Sequence, residues 1–185
     1  MVEQRYRLAV PADANIHTES WLDPRLVVRP SPIHGQGLFA ALPIPPGEVV
    51  MKLGGETMTD ADVRELIARR ERYDGIVVGS DANLHIKPSD WPGIYGNHSC
   101  DPNLWMTGLV EISTRRDLAE GEEAVADYSS YTMSADWSMA CCCGSPLCRG
   151  VVTGDDWRRP DLQDRYAGHF APAIARRIDS PQLRS

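Results

Sequence analysis

Lysine is nearly missing from this 185-residue chain: of 19 basic residues only Lys52 and Lys87 are lysines, a skew read here as compositional. The basic residues are scattered and the net charge is -7. No footprint for a phosphate backbone exists, so direct nucleic-acid binding is not expected. The acidic balance reads as ordinary solubility charge, with attraction of a cationic substrate as the alternative. Apolar runs fall well short of the roughly 18 residues that signal a membrane span. The opening MVEQRYRLAVPADANIHTES lacks a charged stretch followed by an apolar one. Neither a membrane span nor a secretory signal is read, and a cytoplasmic location is the expectation. Internal repeats, low-complexity segments and an alternation of strands with long helices are missing too, which excludes a doubly wound nucleotide fold.

What is present, 42% hydrophobic and 24% charged residues, makes one ordinary globular domain with room for an appendage. The pattern is mainly β with few helices. LVVR (26–29), LFA (38–40), EVVMKL (48–53), GIVVG (75–79), NLHIK (83–87), LVEIS (109–113) and EEAVADY (122–128) read as short strands between turn signals. TDADVRELIARRER (59–72) reads as a surface helix, with Thr59 as cap, acids in the first turn and arginines in the last. Near the C-terminus Leu162, Tyr166, Phe170, Ile174 and Ile178 recur at four-residue spacing, predicting a helix kinked at Pro172 and packed on the domain. Residues 1–24 have no period and read as an irregular arm.

Chemistry concentrates in two places. Cys141, Cys142, Cys143 and Cys148 crowd into CCCGSPLCRG, and Cys100 stands alone in NHSCDPN. An odd number of thiols, adjacent in sequence and in a reducing compartment, is not a disulfide framework. Zinc wants four soft ligands in a tetrahedron. Cys141, Cys143 and Cys148 offer three; in an extended segment Cys142 points away from its neighbours, which leaves Cys100 as the fourth. With four protein ligands the ion is structural and activates no water. A thiol switch centred on Cys142, and plain buried cysteines, are the competing readings. The loop NHSCDPN (97–103) is polar and turn-forming, flanked by Ile94, Tyr95, Leu104 and Trp105, so it is neither mid-strand nor mid-helix.

Four segments in this order resemble the SET-domain protein lysine methyltransferases: HGQGLFA (34–40), YGNHSCDPN (95–103), RRDLAEGEEAVADY (115–128) and CCCGSPLCRG (141–150), the last similar to a post-SET zinc knuckle. The resemblance implies a SET fold of several small curled sheets with a C-terminal pseudoknot. It divides the chain into an arm (1–24), a SET domain (25–135), a post-SET knuckle (136–155) and a helical tail (156–185). It also implies S-adenosylmethionine as cofactor, held by Asn97 and His98 and lined by the backbone of His34, Gly35, Gln36 and Gly37, with one structural zinc on Cys100, Cys141, Cys143 and Cys148. Tyr128 matches the catalytic tyrosine, and Asp127 reads as structural. Trp157 is a candidate to cover the adenine, with plain packing as the rival reading. The expected function is methyl transfer to a lysine amine of a protein or peptide, such as a basic tail, by a monomer or small homodimer. A catalytically silent SET-fold binding module is the alternative. Ile94, Ala126 and Ser129 depart from the family pattern, which commonly has arginine, an aromatic and glycine there.

Overall fold

The computed structural model describes residues 16–79 and 81–180. Residues 1–15 of the expected arm lie outside the described residues. The elements follow in order: β1 (Trp21–Leu22), β2 (Leu26–Pro30), β3 (Gln36–Ala40), β4 (Val49–Lys52), β5 (Gly55–Met58), α1 (Asp60–Ala68), β6 (Gly75–Gly79), β7 (Ala82–Ile86), β8 (Asn97–His98), β9 (Leu104–Met106), β10 (Glu111–Thr114), β11 (Glu123–Ala126), β12 (Ser138–Ala140), β13 (Val151–Thr153), α2 (Pro160–Arg165) and α3 (Pro172–Asp179). Mainly β structure in several small sheets, with helices at the C-terminal end, is the architecture expected from sequence.

The largest sheet runs β1-β4-β10-β9-β11-β3-β2, with β8 pairing β11. A second joins β5, β7 and β6, and a third is the pair β12-β13. Leu38, Ile44, Val50, Leu104, Leu118 and Ala124 are essentially sealed from solvent and centre the main core. Each fully buried Leu or Ile there contributes about 1.5–3 kcal/mol. A separate core gathers Trp157, Leu162, Tyr166, Phe170 and Ile174 against Val77 of β6, which docks the C-terminal segment onto the sheet body.

Four local expectations are corrected. The C-terminal apolar series is not one kinked helix: α2 stops at Arg165, Gly168 at φ +80° lies in the turn that follows, and Pro172 is the first residue of α3, where its missing N–H costs nothing. Thr59 does cap α1 in a reciprocal capping box with Asp62, but the helix stops at Ala68, so that Arg69, Arg70 and Arg72 fall beyond it and its last turn holds no basic residue, and it buries no side chain. Trp21–Leu22, left unassigned from sequence, pairs with β4. Asn97 and His98, read as loop, form a short parallel pairing with Val125 and Ala126.

That last pairing positions the site. Ala126 of β11 pairs both His98 and Leu104. The segment between them closes over the strand: Ser99 N–H donates to Ala126 O at 3.1 Å, Val125 N–H donates to Asn103 Oδ1 at 2.8 Å and Asn103 Nδ2 to Glu123 O at 2.7 Å. Buried polar backbone must find partners, and this polar segment supplies them. A stretch rich in Asn, His and Ser is thereby kept inside an apolar body.

Candidate active site and metal centre

Cys100 leaves the end of this closure facing the knuckle. The Sγ atoms of Cys100, Cys141, Cys143 and Cys148 all lie within 4.8 Å of one another, Cys100 and Cys141 being 3.8 Å apart. A tetrahedral zinc with bonds of about 2.3 Å sets its sulfurs roughly 3.8 Å apart. The donor set and spacing therefore fit one zinc ion. Cys142 is exposed and outside the group. Burial pushes the Cys100 and Cys141 thiols up, so without a cation they resist ionisation. The knuckle makes its turn locally: Cys148 N–H donates to Ser145 O at 2.9 Å and Cys141 N–H to Gly150 O at 2.8 Å.

His98 stands between metal side and tyrosine. Burial pushes its imidazole down to about 4, so the ring is neutral at pH 7. Its Nδ1 accepts from Tyr128 N–H at 3.2 Å, which leaves the proton on Nε2, aimed at Cys100 Sγ 3.3 Å away. Both ring nitrogens are spent inside the protein.

Asn97 faces the other way. Its Nδ2 donates to His34 O (3.1 Å), Gln36 O (2.9 Å) and Glu123 Oε1 (2.8 Å). Glu123 also accepts from Ser31 Oγ at 2.8 Å and 2.9 Å. Gly37 leaves room for this carboxylate: a Cβ there would lie 2.2 Å from Glu123 Oε1, so the Glu123 side chain would have to shift. His34, Gly35 and Gln36 are exposed on the lip, held from behind by a buried amide, while Gly37 is buried. An open main-chain lip of this kind suits a small polar ligand.

Tyr128 follows β11 on a 3₁₀ turn and donates from its hydroxyl to Gly96 O at 2.8 Å. Burial pushes the phenol up to about 12, so it keeps its proton at neutral pH. The rings of Tyr131 and Trp137 stand 5.8 Å and 6.3 Å from it. Asp127 is buried beneath, accepting from Ser129 N–H and Oγ, Arg149 Nη2 and Tyr166 OH. Burial works against the charge on Arg149, and the hydrogen bond to Asp127 together with the attraction of the neighbouring negative charges, Asp127 and Asp156 among them, more than offsets it.

A family model for the SET domain matches residues 35–129. The chain belongs to the SET-domain family. It is 36% identical over 141 residues to the histone-lysine N-methyltransferase ATX2 of Arabidopsis thaliana, covering 69% of this chain and 13% of that protein. To the histone-lysine N-methyltransferase ash1 of Drosophila melanogaster it is 28% identical over 146 residues, 67% of this chain and 6% of that protein. To the H3 lysine-36 specific histone-lysine N-methyltransferase of Cryptococcus neoformans (strain JEC21 / ATCC MYA-565) it is 28% identical over 135 residues, 65% and 16%. The chain thus spans a small part of these relatives' length.

The structure brings the loop residues Asn97, His98 and Cys100, the lip at 34–37 and Tyr128 close to one another. Trp157 does not join them. It is 1% exposed in the C-terminal core, with Arg158 stacked 4.6 Å over its ring, so packing is the role the structure gives it. Ile94 packs against the main core, and Ala126 is buried beside Tyr128 with no ring of its own. Glu123, Asp127, Arg149, Tyr131 and Trp137 were not singled out as site residues from sequence. The second Glu of G-E-E and the Arg of C-R-G carried the only signal for two of them.

Proposed function

We propose that this chain is an S-adenosylmethionine-dependent protein-lysine N-methyltransferase. The observation that carries the reading is the Tyr128 hydroxyl on Gly96 O, 2.8 Å away and one residue before Asn97, which grips the 34–36 main chain. Three segments distant in sequence bring a phenol and a polar lip to one place. S-adenosylmethionine, when bound, supplies an electrophilic methyl group on a sulfonium. On this reading His34, Gly35, Gln36 and Gly37 line its site through their backbone. Asn97 holds that backbone in place, and His98, its ring already committed, contributes main chain only.

The acceptor amine must be neutral, because its lone pair attacks the methyl carbon. A free lysine of pKa near 10.4 is neutral about once in a few thousand encounters at pH 7. Burial in an apolar channel and a neighbouring positive charge both lower that value. Tyr131 and Trp137 beside Tyr128 supply apolar walls. Tyr128 keeps its own proton and is no base; its oxygen orients the amine, and much of the rate comes from near-attack positioning. The four-thiol zinc site offers no open ligand position, so its part is structural.

The names of the relatives support a histone-like substrate, a lysine on a basic tail, and the net charge of -7 suits a cationic partner. The test is transfer of labelled methyl onto a lysine-peptide array. Tyr128→Phe is expected to lower labelling by about a hundredfold. Labelling equal to the parent chain removes Tyr128 from the mechanism, and no labelling by the parent chain removes the activity.

A further inference from the structure

Arg149 immediately follows the metal ligand Cys148, and its side chain is only 5% exposed. Its backbone N–H donates to Cys100 Sγ at 3.4 Å. Its guanidinium reaches across to the other end of the site: Nη2 donates to Asp127 Oδ1 at 2.7 Å and Nη1 to Ser129 Oγ at 3.4 Å. Nε lies 3.3 Å from Asp156 Oδ2 as an ion pair without hydrogen-bond geometry. Asp127 and Ser129 are the residues on either side of Tyr128, and Tyr166 donates to the remaining oxygen, Asp127 Oδ2, at 3.0 Å. Ser129 stands where the family pattern has glycine, and here its hydroxyl is part of the bridge, donating to Asp127 Oδ1 at 2.7 Å.

We propose that Arg149 is a positioning residue through which the state of the four-thiol site sets the placement of Tyr128. The inference rests on the methyltransferase reading for its functional consequence, though not for its structural one. A cation that draws the thiols together fixes the backbone at residues 148–149. That backbone aims a buried guanidinium at Asp127. A buried carboxylate so paired is expensive to strand, so the turn carrying Tyr128 follows its partner. Ser129 completes the bridge, donating to the same carboxylate oxygen and accepting from the same guanidinium.

Arg149→Met and Arg149→Lys, with zinc as the probe, test this. Nuclear magnetic resonance of ring-labelled tyrosine, with the Tyr128 signal assigned through Tyr128→Phe, reports the placement of that ring apart from Trp137, which packs on the knuckle itself. In the parent chain, removal of zinc by a chelator is expected to change this signal, and readdition to restore it. In Arg149→Met, still holding one zinc per chain, the signal is expected to resemble the zinc-free parent and to respond little to chelation. On the kinetic side kcat falls roughly ten- to a hundredfold while KM for S-adenosylmethionine moves less than about threefold. Arg149→Lys recovers part of both. The proposal is overturned if Arg149→Met responds to zinc removal as the parent does, or if Arg149→Lys recovers nothing relative to Arg149→Met. Should Arg149→Met lose zinc, Ser129→Gly takes its place, with a weakened response to chelation expected and an unchanged response overturning the proposal. If the parent chain transfers no methyl group, the spectroscopic arm still decides the coupling, so the two readings fail separately.

Discussion

The sheet body and the cysteine knuckle face each other across Cys100 and are built on opposite principles. The body closes around an apolar core that includes Leu38, Ile44, Val50, Leu104 and Leu118, laced by a sheet running β1-β4-β10-β9-β11-β3-β2. The knuckle has a two-stranded pairing, and its buried cluster consists of Cys100, Cys141 and Val152. One region is stabilised by burial of hydrocarbon; the other has little hydrocarbon to bury and instead gathers four thiols at a spacing that fits a cation. The lesson is that the loop 97–103 belongs to both. Its Asn97 and Asn103 are fastened into the body, while its Cys100 is the body's contribution to the four-thiol cluster.

The sharpest way to break this contrast is to remove the metal. Chelation is expected to abolish hydrogen-exchange protection of the β12-β13 amides, Met139 and Val152 among them, while amides of the β2-β3 hairpin stay protected. Structural zinc supplies on the order of 10 kcal/mol in small folds, so the local effect is large. Simultaneous loss in both regions contradicts the division. The converse perturbation is Leu38→Ala, expected to cost about 2–5 kcal/mol in denaturant unfolding while zinc per chain is unchanged. Loss of zinc in that variant means the knuckle is not autonomous.

A smaller effect sharpens the picture of the body. Hydrogen bonds from Arg25 hold the Asp23 carboxyl below the usual carboxylate range, against the effect of burial. A folded pKa below the unfolded value of about 3.9 means the contribution is fully present above that pH. It is lost as pH falls through the lower folded value. Asp23→Asn is therefore expected to lower the thermal midpoint at pH 7 and to narrow the gap between midpoints measured at pH 7 and pH 3. An unchanged gap sinks the assignment.

Much of the site was legible in sequence because its chemistry is written in rare residue types at fixed spacing. Cys141, Cys143 and Cys148 announce a soft metal, and NHSC announces a polar insertion among apolar neighbours. The strands were legible for a similar reason, as short apolar runs between turns. What escaped was long-range. Pairing of Asn97 and His98 with β11 depends on a partner strand that is remote in the chain, and no local preference reports it. Arg149 and Asp127 are 22 positions apart, and an arginine in a knuckle reads as surface until its partner is located. The C-terminal spacing of four was real but marked one buried face shared by two helices, with Leu162 and Ile174 on opposite sides of the break at Gly168. Trp157 stands between Asp156 and Arg158, charged neighbours that give no local sign of burial. It is buried because the core formed by α2 and α3 closes over it.

The account depends most on Cys100 joining three thiols 41 to 48 positions further along the chain. X-ray absorption at the zinc K edge of the purified chain reads that directly. Four sulfur neighbours at about 2.3 Å is the result predicted here. Three sulfurs with a nitrogen or oxygen at roughly 2.0–2.1 Å, unaltered in Cys100→Ser, contradicts it.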